Sequence, residues 1–163
     1  FLLHLYKFVL DNTPRMLSWI DRRQGSPTYG CSDRNYWHYK IIDFPCSMLQ
    51  ETALTLSLLY SVKFNDNKYY RSKYIKELAI TQIHYWMKIQ NRNGSFDEFF
   101  PNEQSFSATV ASLYPGHQQQ YVLPRFSSNH RFVTRNHPVA APDLRLVSGG
   151  AGAEHQSLDL VLL

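Results

Sequence analysis

The sequence predicts an all-α protein over residues 1–114, built as antiparallel helical hairpins of an incomplete α/α toroid. Two observations predict it. Apolar residues recur at helical spacing in successive stretches, and those stretches are bounded by residues that cap or break helices. The 44% hydrophobic and 18% charged composition of the 163-residue chain is that of a folded globular protein, long enough for one domain with a core.

The first stretch is the apolar run of residues 1–10, which reads as a helix whose beginning is missing; it carries His4 and Lys7 and is too short to span a bilayer. Thr13 and Pro14 then read as an N-cap followed by proline at the first helical position, where a missing N–H costs nothing. A helix over 13–23 follows, with Met16, Leu17 and Ile20 on one face, and Gln24-Gly25-Ser26-Pro27 ends it.

Ser47, with Gln50 three residues on, has the capping-box pattern, in which two side chains satisfy two orphan backbone donors reciprocally. The helix it opens should run to Val62. Its wide apolar arc, with Leu49, Ala53, Leu56 and Tyr60 on one face and Leu54 and Leu58 beside it, makes it an inner helix. Asn65-Asp66-Asn67 supplies a turn and cap. An amphipathic outer helix over 68–90 follows, with Tyr70, Tyr74, Leu78, Ile83 and Met87 on its apolar side. After Asn93-Gly94 and an acidic, aromatic loop comes a second inner helix over 105–114, with Phe106, Val110 and Leu113 on one face. Antiparallel helices alternate direction, so the loop before Ser47 and the loop before Ser105 should open on the same rim.

From Pro115 the texture changes. Pro115-Gly116, Pro124, Pro138, Pro142 and Gly149-Gly150 interrupt every pattern, and residues 115–163 are expected to form an irregular tail or a non-native end produced by a shifted reading frame.

The formal charge is +4, yet Lys and Arg are spread singly along the chain, which gives no nucleic-acid footprint. No membrane partner is indicated. Cys31 and Cys46 flank one aromatic loop; they could pair in an oxidising compartment, and without a secretion signal they read as two free thiols. A metal site of Cys31, His38, Asp43 and Cys46 matches no zinc spacing, and no cofactor is implied. The sequence contains no P-loop, G-x-G-x-x-G, G-x-S-x-G or H-E-x-x-H, so nucleotide binding, serine hydrolysis and zinc proteolysis have no positive support.

Two segments carry a resemblance. Residues 33–45, DRNYWHYKIIDFP, and residues 90–103, QNRNGSFDEFFPNE, with the helices around them, resemble the α-toroid domain of heparinase II/III-like proteins over Leu17–Tyr114. The resemblance implies a polysaccharide lyase that acts on an acidic polysaccharide by β-elimination and carries a β-rich domain after the toroid. Gln90, Gly94 and Phe96 also repeat the Q-x-x-x-G-x-W spacing of squalene–hopene cyclase toroids, with Phe in place of Trp and no Asp-rich motif in the chain.

The rim residues suit a saccharide. Aromatic faces stack on sugar rings, while Arg and carboxylates bond hydroxyls and acidic groups. Asp33, Arg34, Trp37, Asp43, Asp97, Glu98 and Glu103 are the expected substrate-binding residues. His38, Tyr36 and Tyr39 are able to move the proton that β-elimination requires, with Arg34 neutralising the uronate carboxylate. Asp97, Glu98 and Glu103 also suggest the paired carboxylates of glycoside hydrolysis, although for Glu103 the helix dipole alone explains an acid at that position. The same residues equally fit a non-catalytic helical-repeat module that binds a saccharide or a protein partner.

Overall fold

The computed structural model describes residues 2–113, and the expected tail over 115–163 lies outside them. The described residues are helical: α1 (Leu2–Ser18), the short α2 (Arg34–Trp37), a 3-10 turn (Met48–Glu51) running into α3 (Thr52–Ser61), α4 (Lys73–Lys88), and a last helix α5 over 106–113. Among them there is no strand, only one antiparallel bridge between Phe96 and Ser105. The all-α expectation holds.

Where two helices were expected at the start, there is one. Pro14 sits inside α1, and Thr13 does not cap: its hydroxyl donates back to the Val9 carbonyl at 2.7 Å, as the Asn12 amide does to Phe8 at 2.8 Å. These side chains bond back to carbonyls four residues earlier, in the turn before the Leu10 carbonyl that Pro14 leaves without its helical N–H. The helix stops at Ser18, short of residue 23, because the chain next pairs with a later segment. The Asp21 amide donates to the Cys31 carbonyl at 2.8 Å, and the Gly30 amide donates to the Asp21 carbonyl at 2.8 Å.

The capping box at Ser47 does not form. Ser47 is already helical (φ −68°, ψ −33°), its hydroxyl is buried without a hydrogen bond, and the Gln50 amide turns elsewhere. Gln50 Oε1 accepts from the Ser32 amide at 3.0 Å and its Nε2 donates to the Cys46 carbonyl at 3.0 Å, so Gln50 joins two parts of the preceding loop.

The helices α3 and α4 form an antiparallel hairpin. The Arg71 amide donates to the Tyr60 carbonyl at 2.9 Å at the turn, while Gln82 meets Thr52 at the far end. Asn67 closes α3 by donating to the Leu59 and Val62 carbonyls, and Ser72 caps α4 by accepting from the Ile75 amide at 3.4 Å. α4 therefore starts at Lys73 and not at residue 68.

The core is made of Met16 and Ile20 from the end of α1, Ala53, Leu56 and Leu59 from α3, and Ile75, Leu78, Ala79 and Ile83 from α4. α4, expected as the outer helix, is the better covered of the pair: it buries seven residues against four on α3. Its buried side follows Ile75, Leu78, Gln82 and Trp86 and leaves Tyr74 half exposed. The cause is the loop after α1, which lies across α4. Gly30 meets the backbone of Thr81 there, closer than any side chain would allow.

α5 is also turned from its expected orientation. Ala108 and Ser112 are buried, while Phe106 is 83% and Val110 44% exposed. Ala108, with Leu113 packed alongside, covers Trp86 and Phe96, whose rings stack at 5.0 Å.

Candidate functional site

Two loops meet at one end of the helical hairpin. Met48, just after the first loop, packs into the Trp86, Phe96 and Ala108 cluster at the base of the second. The Cys46 thiol, pushed up first by burial, is pushed up further by the charges of Asp33 and Glu98. The bases of the two loops thus lie against each other.

The first loop hangs on two buried carboxylates. Asp21 has no solvent exposure and gathers the Arg23 guanidinium at 2.9 Å, the Thr28 hydroxyl at 2.6 Å, the Ser26 hydroxyl at 2.9 Å and the Arg23 amide. Burial alone would raise its pKa, but these donors outweigh burial and hold the carboxyl well below the usual range. Asp33 is equally buried. It caps α2 by accepting from the Asn35 amide at 3.1 Å, and its other oxygen accepts from the Cys46 amide at 3.0 Å, which ties the loop's two ends together. Asp33, expected to bind substrate, serves here as a structural anchor.

Above these anchors lies an aromatic and cationic surface. The Arg34 guanidinium stands 5.0 Å from the Tyr39 ring centroid and 5.9 Å from that of Trp37, and Arg23 stands 5.4 Å from the Trp37 ring. Arg34 Nε is buried and makes no hydrogen bond. Trp37 is fixed by its indole N–H, which donates to the Trp19 carbonyl at 2.7 Å. His38 is exposed and packs edge-on between Trp37 and Tyr39, at 5.1 and 4.8 Å. Tyr39 is 55% exposed, whereas Tyr36 is half-buried under the Lys40 ammonium at 5.6 Å. Asp43 is exposed. Arg34, Trp37, His38 and Tyr39 are therefore brought together, and Arg23 joins them, a residue that the helix expected over 13–23 had concealed.

The second loop uses all three of its carboxylates on itself. Asp97 accepts from the Asn102 amide at 2.8 Å, the Gln104 amide at 3.0 Å and the Asn91 side chain at 3.0 Å. One oxygen of Glu103 accepts from the amides of Phe99, Glu98 and Phe100, and Glu98 accepts from the hydroxyls of Ser105 and Ser107. For Asp97 burial raises the pKa and is outweighed by these donors; for Glu103 the Phe99 amide leads in lowering it. Both carboxyls are held ionised, the opposite of what a general acid for glycoside hydrolysis needs.

The Gln90, Gly94 and Phe96 spacing has a local explanation. Gln90 Nε2 donates to the Gly94 carbonyl at 2.9 Å, Gly94 takes the left-handed turn (φ 90°), and Phe96 is driven into the core against Trp86.

Cys31 and Cys46 are both free thiols. Cys31 is fully buried, and burial with neighbouring carboxylate charge pushes its thiol up to about 11. Among the described residues, no three His, Cys, Asp or Glu side chains are grouped to hold a metal ion, and no helix is long and apolar enough to cross a membrane. A cavity of about 530 Å³ opens between α1 and α3, lined by Phe8, Met16, Trp19, Leu54 and Leu58 among others, and it contains none of the rim residues. No family model, curated protein or solved structure matches the chain.

Proposed function

We propose that this chain is part of a carbohydrate-active α/α toroid, resembling heparinase II/III-like lyases, and that it binds an acidic polysaccharide on its first loop. The observation that carries the reading is Arg34. Its guanidinium lies over Tyr39 and Trp37 and pairs with no carboxylate among the described residues. A uronate offers what that arrangement lacks, a carboxylate for the guanidinium and an apolar ring face for the aromatic surface. The toroid reading draws support from the antiparallel α3/α4 hairpin and from the apolar cavity that opens between α1 and α3, where a further hairpin of an array would pack.

His38 and Tyr39 pack edge-on against each other beside Arg34 and are exposed, which supports reading them as the pair that moves a proton in β-elimination. The binding-module reading is favoured by a different observation: these residues stand on an open surface and not in the cavity.

The test is binding to acidic and neutral polysaccharides by calorimetry, read beside the ultraviolet absorbance of the unsaturated product. Binding that is lost in Arg34→Ala supports the saccharide site. New absorbance that is lost in His38→Ala supports the lyase, and binding without absorbance supports the module. A folded protein that binds no acidic polysaccharide overturns the proposal.

A further inference from the structure

The turn between α3 and α4 gathers most of the chain's net charge. Residues 60–77 hold five cations, Lys63, Lys68, Arg71, Lys73 and Lys76, against the two acids Asp66 and Glu77, so this stretch carries +3 of the chain's formal +4. Lys73 lies 3.7 Å from Glu77, while the other four cations pair with no carboxylate among the described residues. They stand over tyrosines instead. Arg71 lies 5.6 Å from the Tyr60 ring centroid and 5.5 Å from that of Tyr70, Lys76 lies 5.9 Å from Tyr60, and Lys68 lies 5.3 Å from Tyr69. Lys63 joins the group: the Tyr70 pKa is lowered first by Arg71, which bonds its hydroxyl, and further by the charge of Lys63.

Helix stability does not account for these cations. Lys73 and Lys76 fall in the first turn of α4, which has no acid, although the positive end of a helix dipole favours acids and opposes cations. Arg71 takes a left-handed conformation (φ 57°) that glycine or asparagine adopts at less cost.

The surroundings select the partner. Val62, 38% exposed, adjoins Lys63, and Leu5, 41% exposed, adjoins Tyr6, whose ring stacks on Phe64 at 4.5 Å. Exposed cations, tyrosines and single apolar side chains at the end of a hairpin suit an anionic bilayer surface. Lysine and arginine meet the phosphates and carboxylates of the lipids, while amphipathic rings and apolar side chains settle at headgroup level. A nucleic-acid strand needs ring faces on which bases stack, and here cations already stand over the rings.

We propose that the α3/α4 turn is a docking surface for the anionic face of a lipid bilayer, with Lys63, Lys68 and Arg71 as its headgroup contacts.

The experiment sediments the full chain with vesicles of phosphatidylcholine alone and with vesicles of an equal mixture of phosphatidylcholine and phosphatidylserine. Two variants are compared. Lys63→Gln/Lys68→Gln removes two charges from the turn, and Arg15→Gln/Arg92→Gln removes two elsewhere: Arg92 follows the other end of α4, and Arg15 lines the α1/α3 cavity beside Glu51. All four side chains are exposed, and circular dichroism checks that both variants keep their helices. The expected result is binding to the mixed vesicles only, lost at high salt, weakened about thirtyfold in the turn variant and retained in the other. A folded chain that ignores the mixed vesicles, equal binding to neutral vesicles, or equal losses in the two variants overturns the proposal. Tighter capture of a single-stranded oligothymidylate than of the mixed vesicles overturns it in favour of a nucleic-acid partner.

Discussion

Gly30 lies against the backbone of Thr81: a Cβ built on Gly30 would stand 2.6 Å from the Thr81 carbonyl oxygen. At φ +91° the position is also one that L side chains rarely adopt. This contact helps seat the first loop on α4, together with the Lys88 ammonium, which donates to the Pro27 carbonyl at 2.6 Å. Gly30→Ala is expected to destabilise the fold by about 3 kcal/mol, from left-handed strain and overpacking together. Urea unfolding measures it, and a loss under about 0.5 kcal/mol would show that the loop does not sit on the helix this closely.

Gln82 and Gln50 make opposite predictions despite similar burial. Gln82 Nε2 donates to Ser32 Oγ and, at 2.6 Å, to Thr52 Oγ1, but its Oε1 is buried with no partner, and the two hydroxyls also bond each other at 2.7 Å. Gln82→Met removes the orphaned acceptor and leaves the hydroxyls paired, so it is expected to change stability by less than about 1 kcal/mol. Gln50→Met strands the Ser32 amide and the Cys46 carbonyl, at an expected cost of about 2 kcal/mol. Thermal unfolding of the two variants side by side decides, and equal losses would contradict this account of the network.

Asp21 links stability to acid. Its folded pKa is depressed, so the stabilisation is fully present above the unfolded value of about 3.9 and is lost as pH falls below it toward the folded value. Asp21→Asn is expected to cost about 2 kcal/mol at neutral pH and to flatten the fall in stability below about pH 4. Denaturation midpoints across that window test it; an unchanged slope in the variant would remove Asp21 from the acid response.

The two thiols should react in order. Cys31 is fully buried with its thiol pushed up to about 11, whereas Cys46, also raised by burial, is only half-buried. Mass spectrometry after alkylation at mildly alkaline pH should find Cys46 modified slowly and Cys31 only after denaturant is added. Because the folded Cys31 pKa is raised, its contribution is present below the unfolded thiol value of about 8.5 and declines as pH rises from there through the folded value. Modification of Cys31 as fast as Cys46 in the native protein would contradict its burial.

The sequence by itself determined that the described chain is helical and located the helical stretches after residue 47, but not the single helix that runs through Pro14. Apolar spacing and breakers such as Gly94 act within a few residues, so the stretches over 47–62 and 68–90 were legible from local pattern, as was the aromatic first loop carrying Arg34, Trp37, His38 and Tyr39. Tertiary structure decided what each residue is used for. Thr13 and Ser47 look like caps, but capping requires the chain to bend there, and packing of α1 and the pull of Gln50 toward Ser32 decided otherwise. Asp33 reads as a ligand-binding acid until Cys46 closes over it, and Phe106 reads as core until Ala108 takes the buried side of α5. Such partners lie tens of positions apart in the sequence, as Ser32 and Gln82 do at 50. Burial and hydrogen bonding are set by whichever surfaces meet in three dimensions, which no short-range pattern encodes.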